Sequence, residues 1–149
     1  MSEVVSLAER RWWKGFDALF KCGMSLVEET ATYLDGQGRI ESKVLPSPLG
    51  YTYATLSMRL TTLLMKLISW LLLVRAFKEK ELSQEEFVGQ CAKLPTRSLK
   101  ALTDEEILDM PSTIRSLAER ANALLTDIQK ADAEYLPNEG FHVHQSASG

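Results

Sequence analysis

Few residues in this chain could act on a substrate or hold a metal. His142 and His144 stand two apart in "FHVHQ", close to the C-terminal end. That spacing suits a metal on a strand and not on a helix. No third ligand lies near them, so no metal site is expected. Cys22 follows Lys21, whose charge would favour the thiolate. It also flanks an apolar row, and no histidine shares a helix with it to act as base. Cys91, between Phe87 and Leu94, reads as core. Glu28–Glu29 and Glu85–Glu86 are adjacent pairs, and neighbours on a helix point about 100° apart, so neither pair can share one reacting centre. The glycines are scattered and form no phosphate loop. The expectation is therefore no catalytic residue, no cofactor and no metal.

One cluster hints at a different chemistry. "RRWWK", Arg10 to Lys14, mixes cations with aromatics as single-strand nucleic-acid binders do. Yet Trp12 and Trp13 both fall on apolar rows of a helix, which favours packing with the cations at its rim. The net charge of −3 also argues against a nucleic-acid partner. The 149 residues fit one domain, 45% apolar and 25% charged. Two cysteines in no metal-type spacing read as reduced thiols of a cytoplasmic protein. "MSEVVSLAERRWWK" has no apolar signal-peptide core.

With no reacting group to place, the elements matter as surfaces. Long helices are expected at about 2–34, 48–80 and 111–135, within a bundle domain at 1–136. The first has a seam of Val5, Trp12, Phe16, Leu19, Gly23, Leu26 and Tyr33, beside a second row of Trp13, Phe20, Val27 and Leu34. Gly36 or Gly38 would end it in a left-handed turn. Arg39–Leu49 reads as a linker, with Ser47 capping the next helix and Pro48 in its first turn.

The second helix holds "SMRLTTLLMKLISWLLLVRA". Arg59, Lys66 and Arg75 divide this stretch, so a core helix is expected and not a membrane span, which needs roughly 20 apolar residues. Leu56, Leu60, Leu63, Leu67, Trp70, Val74 and Phe77 form its main seam. Met58, Met65 and Leu72 form a third row, and core filling is the expectation for Met24, Met58 and Met65. Arg59, Thr62, Lys66 and Ser69 form a polar stripe and are the candidate partner-binding residues. From Trp70 to Val74 the helix is apolar all round and must be surrounded. Trp12, Phe16, Leu67, Trp70 and Val74 are accordingly candidates for the core or a dimer contact.

The connection Glu81–Met110 carries two capping-box pairs, Ser83 with Glu86 and Thr103 with Glu106, so two short helices are expected there. The third long helix keeps 3-4 spacing through Ile114, Leu117, Ala121, Leu124, Ile128, Ala131 and Tyr135. Residues 137–149 are expected to form a flexible tail with Phe141 as its bulky anchor for a partner. The fold class is all-α: a three-helix bundle with short helices in the second connection, expected to dimerise.

"LSMRLTTLLMKLISWLLLVRA", with "YLDGQGR" before it and "MPSTIRSLAERANALL" after it, resembles the RcdA family, regulators of CtrA degradation in alpha-proteobacteria. The resemblance covers about Ser6 to Tyr135. Members often carry a second arginine where this chain has Leu63, so no role for that arginine carries over. The resemblance implies a dimeric three-helix bundle without enzymatic activity. It implies an adaptor that helps the ClpXP protease receive cell-cycle regulators, with ClpX, a priming response regulator and the substrate regulators as partners. A helical scaffold or interaction module outside proteolysis fits the residue pattern equally well.

Overall fold

The computed structural model describes residues 7–134. Three long helices dominate: α1 (Leu7–Asp35), α3 (Ser47–Lys78) and α6 (Ser112–Glu134). Shorter pieces join them: α2 (Gln37–Lys43), α4 (Gln84–Ala92), a 3₁₀ turn at Thr96–Ser98 and α5 (Asp104–Ile107). No strand occurs among the described residues, and the fold is all-α. The Trp12 indole donates to the Ala131 carbonyl at 3.0 Å and Arg120 pairs with Glu29, so α1 and α6 run antiparallel. Asp17 meets Lys78 at one end of the α1–α3 contact, which makes that pair antiparallel too.

α3 is the central element because its apolar residues recur at three- and four-residue spacing for most of its length. Leu56, Leu60, Leu67, Leu71 and Val74 are fully buried, and Trp70 is 1% exposed. α6 covers them with Ile114, Leu117, Ala118, Ala121, Leu124, Leu125 and Ile128. α1 contributes Phe16, Leu26 and Tyr33. Gly23 sets how closely α1 approaches, since a Cβ there would lie 2.5 Å from Leu71 Cδ1. Phe16, Leu67, Trp70 and Val74 thus lie inside the single chain, and Trp12 is half-buried at its edge.

Several local expectations are corrected. The segment read as a linker contains α2, whose Gly38 packs so tightly on Tyr33 and Tyr53 that a Cβ would come within 2.7 Å of the Tyr33 carbonyl. Gly36 does not turn left-handed, with φ at −123°. The left-handed residue is Lys80 (φ 64°), where α3 ends. Ser47 does not cap α3: Pro46 takes the N-cap position and no side chain caps it. The two capping boxes form as expected at Ser83–Glu86 and Thr103–Glu106. The region Trp70–Val74 is not fully surrounded, because Leu72 is 47% exposed. α4 covers part of it by stacking Phe87 on Phe77, with ring centroids 4.3 Å apart.

α3 is long and apolar enough by composition to cross a membrane. Here it is the middle of a bundle, with α1, α6 and the second connection packed on it.

Removing the central indole should leave a large cavity. Trp70→Ala is expected to lower stability by about 3–5 kcal/mol in urea unfolding. A loss below about 1 kcal/mol would mean the site tolerates truncation like a surface position.

Candidate functional site

The described residues offer no converging chemistry. No group of three His, Cys, Asp or Glu side chains among them could hold a metal ion. Cys91 is partly buried, and burial, followed by the Asp132 carboxylate, pushes its thiol up to about 11, far from a ready nucleophile. Cys22 is exposed on the outside of α1. His142, His144 and Phe141 lie outside the described residues.

The polar stripe of α3 divides between two surfaces. Arg59, Thr62 and Lys66 line a groove of about 320 Å³ together with Met58 and Leu63. Its other wall is the chain before α5, through Leu99, Lys100 and Leu102. Ser69 sits elsewhere, on an apolar cleft of about 270 Å³ between α1 and α3, and its hydroxyl donates to the Met65 carbonyl. Val27, Ala31, Leu34, Leu64, Met65 and Ile68 supply most of that cleft. Thr30 also lines it, and the Thr30 hydroxyl is buried with no hydrogen-bond partner.

The groove is held open by hydrogen bonds from α6. Asn122 pairs with both backbone groups of Leu102: its Oδ1 accepts from the N–H at 2.8 Å and its Nδ2 donates to the carbonyl at 2.9 Å. The Gln129 amide donates to the carbonyls of Thr96 and Leu99, each at 3.1 Å. Arg97 is anchored on Asp132 at 2.8 Å. A connection that opens at Pro95 and has only a 3₁₀ turn before α5 is thereby fixed against the bundle.

Arg59 is engaged within the chain. Its guanidinium meets the Glu106 carboxylate. Glu106 also accepts from the Thr103 N–H at 2.8 Å and the Thr103 hydroxyl at 3.1 Å. Burial pushes the Glu106 carboxyl up, but the Thr103 backbone bond and Arg59 together outweigh it and hold it below the usual carboxylate range. Arg59 therefore ties α5 to α3. Lys66 and Lys100 are exposed and form no ion pair among the described residues.

The expectation that Met58 and Met65 fill the core is overturned. They are 70% and 65% exposed. With Leu72 they repeat every seven residues along the outward side of α3, where the intervening Thr61, Thr62 and Ser69 carry no charge. Periodicity cannot separate such a row from a core row, because both are apolar at helical spacing. The wall residues Leu99, Lys100 and Leu102 were also missed, since only the tertiary fold brings them to α3. A larger groove of about 580 Å³ lies between α1 and α6, but Arg11 and Lys130 there stand beside Asp127 and Glu134, so its charges oppose one another.

The pair between α5 and α3 should show in the pH dependence of stability. Glu106 has its folded-state pKa lowered, so its contribution is present above the ordinary value and is lost as pH falls through the folded value. Arg59→Ala should cost under about 1 kcal/mol at pH 7, because Arg59 is partly exposed and screened. The gap from the unsubstituted protein should close in urea unfolding at a pH acid enough to protonate Glu106. An equal gap at both pH values would assign the effect of Arg59 to packing alone.

Residues 9–147 match the family described as a protein of unknown function, DUF1465. The crystal structure of RcdA from Caulobacter crescentus CB15 is similar, with 40% sequence identity and a TM-score of 0.63. The similarity covers 78% of this chain and 87% of that one. No curated protein matches the chain by sequence.

Proposed function

The chain belongs to the RcdA family, and from that premise we propose that it is a non-enzymatic, cytoplasmic adaptor in regulated proteolysis. It brings cell-cycle regulators to the ClpXP protease, with a priming response regulator assisting. The observation that carries the reading is the outward side of α3. It combines an uncharged row of exposed Met58, Met65 and Leu72 with a groove rimmed by lysines that adjoins the row at Met58. An adaptor raises the local concentration of a substrate at its destroyer, so it needs separate contact surfaces and no reacting group.

The methionine row is the proposed homodimer contact. Exposed apolar rows at seven-residue spacing pair as helices do, and a two-fold axis would set Met65 of each copy against the α1–α3 cleft of the other. Methionine suits such a contact because its side chain adapts to irregular surfaces. Of the dimer candidates, Phe16, Leu67, Trp70 and Val74 would then act as core beneath the bundle surface, and Trp12 lies at the α1–α6 edge, away from this contact.

Light scattering at micromolar concentration should report a dimer. Met58→Glu with Met65→Glu should yield a monomer with unchanged helical circular dichroism. A monomeric unsubstituted protein would remove the dimer from this account.

Reconstitution with ClpXP, the priming regulator and a native cell-cycle regulator tests the function itself. Adding this protein should speed degradation of the regulator, and Lys66→Glu should reduce that gain several-fold without unfolding the bundle. An unchanged degradation rate across several candidate regulators would leave a helical scaffold outside proteolysis.

A further inference from the structure

We propose that the groove between α3 and Leu99–Leu102 binds an acidic peptide segment that presents an apolar side chain, held by Lys66 and Lys100, with Arg59 acting as a brace and not as a contact. This deepens the adaptor reading and rests on it.

Charge decides the ligand class. The chain as a whole is net negative, at −3. At the groove the sign reverses, because Lys66 on one wall and Lys100 on the other are exposed and unpaired among the described residues. Arg59 adds little to this field, since its charge is already opposed by Glu106. Two cations on opposite walls favour carboxylates laid along the groove. The acidic first turn of α5, Asp104, Glu105 and Glu106, begins after its cap Thr103 and disfavours carboxylates at that end.

The lining decides the rest. Beside Arg59 and Thr62 the lining is apolar: Met58 is exposed, Leu99 is partly so, and Leu63 and Leu102 form a nearly buried floor. A volume of about 320 Å³ lies at the small end of ligand pockets and accommodates a side chain and its neighbouring main chain, not a whole helix. A purely acidic ligand would leave this lining unused.

The wall is set before any ligand arrives. Asn122 and Gln129 fix Leu102 and Leu99 from α6, so little ordering cost falls on binding. Between these fixed residues the backbone N–H and C=O groups of Lys100, on the groove wall, bond to no described residue. They are available to the main chain of a peptide. That favours a peptide over a small carboxylic acid.

A fluorescein-labelled decapeptide with the central sequence Asp-Glu-Leu-Asp-Glu tests this by anisotropy on the full chain. Binding should be measurable at low salt and weaken several-fold by about 0.3 M salt, as exposed charge pairs are screened. Lys66→Ala with Lys100→Ala should weaken it at least about tenfold, and Arg59→Ala should change it by less than about twofold. Amide NMR shifts should centre on Leu99–Leu102. Equal binding of an Asn-Gln-Leu-Asn-Gln peptide would overturn the proposal. So would binding that survives the double lysine variant, or no binding at millimolar peptide. If degradation is accelerated while the peptide fails to bind, the groove proposal falls and the adaptor reading stands. If the peptide binds as expected but degradation is unchanged, the adaptor reading falls instead.

Discussion

A helix of 32 residues with apolar side chains on most of its circumference cannot stand in water, and the other elements are arranged around that fact. α1 and α6 cover the side of α3 that carries Leu56, Leu60, Leu67, Leu71 and Val74. Burial of such side chains stabilises by about 1.5–3 kcal/mol each, which makes this contact the dominant one. Two helices cannot enclose a third. The connection between α3 and α6 is drawn over part of the remainder, with Phe87 on Phe77 and Leu102 beside Leu63. What stays uncovered on α3 is Tyr51 and the row Met58, Met65 and Leu72 that continues from it at seven-residue spacing.

The same economy explains the groove. From Pro95 onward the connection has only short helical turns, so it depends on side chains from the bundle. Asn122, Gln129 and Asp132 on α6 and Arg59 on α3 each bind it at a different point. These are mostly neutral or partly exposed bonds, worth about 0.5–1.5 kcal/mol apiece. Together they give an irregular segment one position. The position leaves a gap between Lys100 and Lys66, two exposed cations of the same sign.

Much of this was legible in residue order. The 3-4 spacing of Leu60, Leu63, Leu67, Trp70 and Val74 dictated a central helix, and Ser83–Glu86 and Thr103–Glu106 marked two helix starts through their reciprocal backbone bonds. What failed has a common cause. Periodicity says which residues are apolar together, not which of them are covered, so Met58 and Met65 read like core. Gly36 and Ser47 carried local signals that packing overrode, since Gly38 pressed on Tyr33 and Tyr53 holds α2 against the bundle. Lys100 had no signal at all, because its place opposite Lys66 depends on Asn122, twenty residues beyond Leu102.

On this account partners meet the outward side of α3 and the segment before α5, while the solvent face of α6 around Glu119 stays free. Photo-crosslinking residues placed singly at Met65, Lys100 and the exposed α6 position Glu119 test this in the delivery mixture of ClpXP, priming regulator and substrate. The account predicts crosslinks from Met65 to a second copy, from Lys100 to the substrate, and none from Glu119. Substrate crosslinks from Glu119 with none from Lys100 would contradict it.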